Sequence, residues 1–149
     1  MKLNEDTKLT GAFIVELYSA EGALKERREV KNVVTTAGKN YLALWLTAAT
    51  QSDYFMRYVA LGTGTTAAQA TDTTLQTETG TRVAGTLTNS TNVWQNQASF
   101  GAGVSTGAIT EAGVFSASSG GTMLARQTFA VVNKAAGDTL TVTWQITLS

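Results

Sequence analysis

The chain has 149 residues, 11 basic and 11 acidic side chains, and neither histidine nor cysteine. This length predicts one domain, 1–149, while the missing residue types exclude the usual general base, a thiol nucleophile and imidazole or thiolate metal sites. The zero net charge argues against a nucleic-acid partner, and no apolar run approaches the roughly 18 residues that a membrane span needs. From these observations together we expect a soluble, non-enzymatic protein without a cofactor.

The first nine residues, MKLNEDTKL, form a charged segment with few apolar side chains. Such a segment is either a frayed terminus in the free protein or an extended arm, 1–9, that becomes ordered against a neighbouring subunit. In the second case Lys2 and Leu3 lie at the interface with that neighbour.

Residues 10–34 predict an N-terminal β-hairpin. Phe13, Val15 and Leu17 alternate on one face of its first strand, and the sequence SAEG at 19–22 supplies the turn. The rest of the segment forms the returning strand.

The returning strand contains the sequence KERRE at 25–29, in which both signs of charge are interspersed. Such a run is typical of a solvated edge strand, where charge discourages unwanted strand pairing. Arg27 and Arg28 are also candidates for a specific contact with a partner, and the sequence leaves both interpretations open.

The hydrophobic period then changes from that of a strand to that of a helix. We predict one short α-helix over about residues 36–49, with a threonine in front of it as the N-cap. Its aromatic stripe is expected to pack on the core rather than to bind a ligand. The apolar residues at helical spacing are Tyr41, Leu42, Trp45, Leu46 and Ala49.

From Tyr54 onward, short apolar runs alternate with turns rich in glycine and threonine. With the hairpin they give about eight strands, and regular short strands with turn signals favour an antiparallel, jelly-roll-like β-sandwich. The last run is the clearest, because its apolar residues, from Leu140 to Leu148, alternate strictly with threonine and glutamine. The six predicted strands are 55–61, 81–88, 93–100, 108–115, 123–129 and 139–148.

The sequence GTGTTA at 62–67 matches the loose form of a dinucleotide-binding fingerprint. A phosphate site of that kind needs a helix after the glycines, and a P-loop needs a lysine, but neither follows. We therefore predict a polar surface loop, in which Gly62 and Gly64 permit a backbone bend at the end of a strand.

Residues 108–115 and 122–129 flank the sequence SASSGG and predict a second hairpin. If Phe115 lies opposite Thr122, Glu111 lies opposite Arg126. A cross-strand pair of opposite charges contributes about 0.2–1 kcal/mol. We therefore interpret Glu111 and Arg126 as a structural pair rather than as catalytic residues.

Charged residues are concentrated at the start of the chain, with 13 of the 22 in residues 1–39. From residue 79 onward only five occur, and Thr, Ser, Asn and Gln supply the polarity. Because desolvating charge is costly, interface cores are poor in charged residues. The late segment is thus typical either of a hydroxyl-rich sheet surface or of a surface that other subunits cover.

Three stretches of the sequence resemble a loose group of tailed-bacteriophage virion proteins: KNVVTTAGKNYLALWL (31–46), YVALGTGTTAAQATDTTLQTE (58–78) and EAGVFSASSGGTMLARQTF (111–129). In that group Asn-x-Val-Thr-x-x-Gly leads into a helix, and a Gly-Thr-Gly-Thr loop with Asp-Thr-x-Leu precedes a Glu-Ala-x-Val-Phe hairpin. The resemblance spans residues 30–149. One departure is Ala67-Ala68, where relatives are expected to carry a proline.

Proteins that look like this serve as capsid decoration (cement) proteins or as tail and fibre components. A compact domain without a coiled coil or fibre shaft suits the first role, so the resemblance implies a decoration protein that bridges subunits of the major capsid protein. It further implies a homo-oligomer, expected to be a trimer, on the capsid surface of a virion assembled in the host cytoplasm. A tail or fibre-anchor component is the alternative.

A glycan-binding jelly-roll module is a further alternative, because an exposed aromatic ring can stack on a sugar. Trp45, Trp94 and Tyr54 are the candidates for such a platform, and burial of all three tryptophans would count against it. Tyr54 and Phe55 are also candidates for contact with a protein partner.

Overall fold

The computed structural model describes residues 8–45 and 55–149. They form two antiparallel five-stranded sheets and one short helix, which confirms the predicted β-sandwich. The elements are β1 (Leu9–Tyr18), β2 (Leu24–Lys31), β3 (Val33–Val34), α1 (Thr36–Trp45), β4 (Tyr58–Gly62), β5 (Glu78–Ala84), β6 (Thr86–Ser90), β7 (Val93–Phe100), β8 (Gly107–Phe115), β9 (Met123–Lys134) and β10 (Thr139–Leu148).

The first sheet has the strand order β2-β1-β10-β7-β6. Its centre is the pairing of the first strand with the last, which runs without interruption from Leu9 opposite Leu148 to Tyr18 opposite Thr139. The predicted alternation of β10 holds as far as Ile146, which is buried. It is wrong for Leu148, which is 47% exposed because it occupies the last position of the strand, beyond the buried face.

The second sheet has the order β3-β9-β8-β4-β5. The predicted strand 81–88 is two strands, one in each sheet, because the chain crosses between the sheets at Gly85. A Cβ atom at Gly85 would lie only 1.7 Å from Oδ1 of buried Asn96, so the crossing requires glycine. This division and the separate strand β3 account for the larger number of strands than expected.

The core lies between the two sheets and is centred on aromatic side chains. Phe13 lies 4.6 Å from Trp144 and 5.1 Å from Phe129, measured between ring centroids. Phe13 and Trp144 are fully buried. Tilted pairs of this kind add about 0.5–1.5 kcal/mol to what burial itself contributes.

The helix begins where predicted, since Thr35 caps it. Oγ1 of Thr35 accepts a hydrogen bond from the amide of Gly38 at 2.9 Å and donates one to the carbonyl of Met123 at 2.6 Å. Gly38 brings the helix onto β9, because a Cβ there would lie 2.6 Å from the Leu124 carbonyl oxygen.

The predicted apolar stripe of α1 is only partly packed. Tyr41 and Leu42 pack against the core, whereas Trp45 is 37% exposed. The predicted end of the helix, including Leu46 and Ala49, lies outside the described residues.

Candidate functional site

The most elaborate polar site is built around the carboxylate of Glu111, on β8. Its side chain is fully buried and accepts hydrogen bonds from three backbone amides of the loop between β4 and β5. Oε1 accepts from Gly64 at 3.0 Å and from Thr77 at 2.7 Å, and Oε2 accepts from Gln76 at 3.0 Å. One carboxylate thus holds both ends of the loop.

Arg126, on β9, joins Glu111 to the middle of the same loop. Its Nε donates to Oε2 of Glu111 at 2.9 Å, and its Nη1 donates to Oδ2 of Asp72 at 2.8 Å. Its Nη2 donates to the carbonyl of Thr66 at 3.0 Å and lies 2.8 Å from Oε2 of Glu111. We call Glu111, Arg126, Asp72 and these backbone groups the Glu111 network.

The structure therefore brings Glu111 and Arg126 into contact, but not in the predicted register. Glu111 lies opposite Thr128, and Arg126 lies opposite Gly113, so the predicted alignment is wrong by two residues. The reason is that Phe115 lies opposite Met123 rather than Thr122, and a register shift between Val114 and Phe115 adds the second residue. The side chains meet diagonally, a distance that long side chains can span. Sequence reasoning missed Asp72, which lies 54 positions from Arg126.

Gly62 and Gly64 are required for close approach to Glu111. Neither is among the glycines with a positive φ angle, so neither is needed for a left-handed backbone conformation. A Cβ at either position would lie 2.5 Å from Oε1 of Glu111. One amide of the motif, that of Gly64, does bind an anion, and that anion is the protein's own carboxylate.

The network favours the charged form of both side chains. Burial opposes ionisation of Glu111, but the hydrogen bonds from Thr77, Gln76, Arg126 and Gly64 outweigh it, so the pKa of the carboxyl is lowered. Burial likewise opposes the charge of Arg126, while Asp72 and Glu111 together raise its pKa. Both groups therefore stay ionised at neutral pH.

A shallow depression of about 330 Å³ lies above the network. Arg126 and Asp72 line it, but their charged atoms already bond to each other and to the loop. The loop is also tied to the helix, since the amide of Thr36 donates to the carbonyl of Ala70 at 2.8 Å. The loop between β4 and β5 is thus held in place by hydrogen bonds to Glu111, to Arg126 and to the start of the helix. The other lining residues are Thr66, Thr71, Thr73, Thr74, Leu75 and Gln76.

A second buried cation, which sequence reasoning also missed, lies at the end of β9. Lys134 is 2% exposed, and its Nζ donates to the carbonyl of Gly101 at 2.8 Å. Burial lowers the pKa of Lys134, while the nearby carboxylate of Asp138 raises it in part. Asp138 itself bonds to Nζ of Lys25 at 2.7 Å and to the amide of Ala135. The bond between Asp138 and Ala135 closes the turn between β9 and β10, and the other two contacts join this region to Gly101 and to β2.

The candidate partner residues are scattered. Arg27 pairs with Glu29 at 2.8 Å and Arg28 with Glu26 at 3.0 Å, so both arginines are neutralised on their own strand. Phe55 is 49% exposed. Lys2, Leu3 and Tyr54 lie outside the described residues.

The tryptophans differ in exposure. Trp144 is fully buried, Trp94 is half-buried and packs against the core, and Trp45 is more than one-third exposed. Among the described candidates for sugar stacking, Trp45 therefore presents the most accessible ring.

No family model, curated protein or solved structure matches the chain. Residues 8–45 and 55–149 contain no group of three or more acidic side chains placed to hold a metal ion. Over the same residues, no helix has the length and apolar character needed to cross a membrane.

Proposed function

We propose that the protein is a non-enzymatic structural component of a tailed-bacteriophage virion, and within that class a capsid decoration protein. The observation that carries the proposal is the position of the three stretches that resemble such proteins. They form β3 with α1, β4 with its loop, and the β8–β9 hairpin, and all three lie in or against the second sheet. The resemblance thus falls on one structural unit.

That unit uses its charged side chains to hold itself together. Glu111, Arg126 and Asp72 bond to each other and to the loop, and the helix is attached to the same loop at Ala70. A general acid or base needs a group that can exchange a proton with a substrate. Here the shifted pKa values keep Glu111 and Arg126 charged, which suits a structural role in holding the loop better than proton exchange with a substrate.

A decoration protein must present a rigid surface to its neighbours. Strands β6, β7 and β10 carry no charged residue, so their part of the outer face of the first sheet has little charge to desolvate on contact. Phe55 adds an exposed aromatic side chain. Each copy that bridged subunits of the major capsid protein would bury on the order of 1,000 Å² or more, and a homo-oligomer, expected to be a trimer, would multiply these contacts.

Cryo-electron microscopy of virions from a lysate that contains the protein tests this function. A decoration protein occupies symmetry-related sites on the head, in roughly hundreds of copies, whereas a tail or fibre-anchor component is present in a handful. Density on the capsid surface supports the proposal, and absence from the head shell overturns it. Quantitative mass spectrometry of the same particles gives the copy number independently.

A binding assay with undecorated capsids tests the surface. Phe55→Ser is expected to weaken binding, because it removes an exposed aromatic group that can anchor an interface. Leu24→Ser is the matched control, since Leu24 is 53% exposed but lies at the start of β2. Equal loss in both variants would contradict a specific role of Phe55.

A glycan-binding module remains the second candidate, and the exposure of Trp45 is the observation that favours it. A glycan array tests it directly. Binding that Trp45→Ala abolishes, and that Trp94→Phe retains, would support sugar stacking and weaken the case for a purely mechanical role.

A further inference from the structure

The two sheets end in four edge strands, β2 and β6 in the first sheet and β3 and β5 in the second. An edge strand presents unpaired N–H and C=O groups that can pair with another chain. Proteins usually blunt such edges with charged side chains, short strands or irregular backbone. The four edges of this protein differ sharply in that respect.

Three of the four edges are blunted. Strand β2 carries six charged residues among the eight in Leu24–Lys31, and β3 has only two residues. Strand β5 is irregular, because its pairing with β4 shifts between Val59 and Leu61 and Gly80 has a φ angle of 68°. It also carries the charges of Glu78 and Arg82.

The fourth edge, β6, has none of these devices. Its five residues, Thr86–Ser90, contain no charge and no proline, and they pair with β7 in unbroken register. All of them except Leu87 are exposed. Within the described part of the chain, the backbone of β6 bonds only to β7.

We propose that β6 pairs antiparallel with β6 of a second copy of this chain, about a two-fold axis at Thr88, to give a continuous ten-stranded sheet. In a two-fold contact a residue on the axis faces the same residue of the second copy, so a charge at position 88 would face a like charge. Thr88 and its neighbours on β6 carry no charge, so no like-charge repulsion opposes self-pairing. A partner of opposite charge would instead call for charged residues on this strand.

The hydroxyl side chains of β6 face one another in this register. Thr88 faces Thr88 of the second copy, Thr86 faces Ser90, and Leu87 faces Asn89. Hydroxyl pairs across neighbouring strands stabilise a sheet. This pairing does not depend on the proposed function, and in a shell of trimers it would join adjacent trimers.

Covalent trapping tests the pairing, because the chain has no cysteine. Opposite residues of an antiparallel pair have Cβ atoms about 4.5–5.5 Å apart, close to disulfide distance. Under mild oxidation Thr88→Cys is expected to form a covalent dimer. Ser99→Cys is the control, since Ser99 is exposed on the same outer face but pairs with Thr141 on β10, outside the span of β6.

Sedimentation analysis of the untrapped protein gives the second readout. A contact this small is expected to give a weak, concentration-dependent dimer, whose Kd Thr88→Lys raises tenfold or more and Ser99→Lys leaves unchanged. Circular dichroism checks that both variants are folded. A wild type that stays monomeric while Thr88→Cys fails to crosslink overturns the proposal, as does equal crosslinking of Ser99→Cys.

Discussion

Replacement of Glu111 by glutamine is the sharpest test of the buried network, because it changes the charge and almost nothing of the shape. Each carboxylate oxygen accepts at least two hydrogen bonds, Oε1 from Gly64 and Thr77 and Oε2 from Gln76 and Arg126. A glutamine amide has one oxygen and one NH2 group. Whichever way the amide turns, at least two donors face another donor.

The expected cost follows from these contacts. An unsatisfied buried donor costs about 1–3 kcal/mol, and removing one partner of a buried ion pair costs about 3–5 kcal/mol. Arg126 keeps its bond to Asp72, which limits the loss of stability. We therefore expect Glu111→Gln to lower the free energy of unfolding by about 3–5 kcal/mol and the melting temperature by about 6–20 °C.

Urea denaturation, followed by tryptophan fluorescence, measures this change, since buried Trp144 becomes exposed on unfolding. Glu26→Gln is the matched control. Glu26 forms a 3.0 Å pair with Arg28 at the surface, where both side chains are about one-third exposed. Such a pair contributes less than about 1 kcal/mol. If Glu111→Gln costs no more than Glu26→Gln, the reasoning about the network is wrong.

Three other predictions concern the same region. Burial raises the pKa of Glu111, but its hydrogen bonds lower it below the ordinary value of 4.5. The wild type is therefore expected to be more stable than Glu111→Gln by the full amount above pH 4.5, and this difference in the free energy of unfolding shrinks as the pH falls through the lower pKa of the folded state. Urea denaturation at pH 7 and pH 3 checks this, and an advantage that is equal at both would contradict it. Gly64→Ala places a Cβ 2.5 Å from Glu111 and should destabilise the fold by about 1–3 kcal/mol. Gly101→Ala is the control, because the space around Gly101 is open and no loss of stability is expected. Thermal melts of the two variants measure the difference. Thr35→Val should lower the free energy of unfolding by about 1–3 kcal/mol in the same melts, because it removes the helix cap and the hydrogen bond to β9. A loss of stability below about 0.5 kcal/mol would argue against the cap.

The sequence is most informative where a pattern is local. The alternation of β10, the two hairpins and the Thr35 cap each depend on residues within a few positions of one another, and hydrophobic period and turn chemistry predict them. These features suffice for the class of the fold. They do not give the strand order, which depends on pairings such as Leu9 with Leu148.

The candidate site depends on distant residues, and this is why only part of it could be predicted. Opposite charges on neighbouring strands suggested the pair of Glu111 and Arg126, but the amides that bind Glu111 lie 34–47 positions away. Asp72 gives no local signal of its role. The register shift between Val114 and Phe115, which helps to place Glu111 opposite Thr128 instead of Arg126, is marked by no sequence period.

The central place of β10 has a consequence for biosynthesis. This strand lies between β1 and β7, so the first sheet lacks its middle until residues 139–148 have left the ribosome. The sandwich therefore cannot complete its folding before that strand has been made, and pairing between residues as far apart in the sequence as those of β1 and β10 makes folding slow. A nascent chain stalled before residue 139 should remain sensitive to protease, and a chaperone that shields β1 would act during that interval.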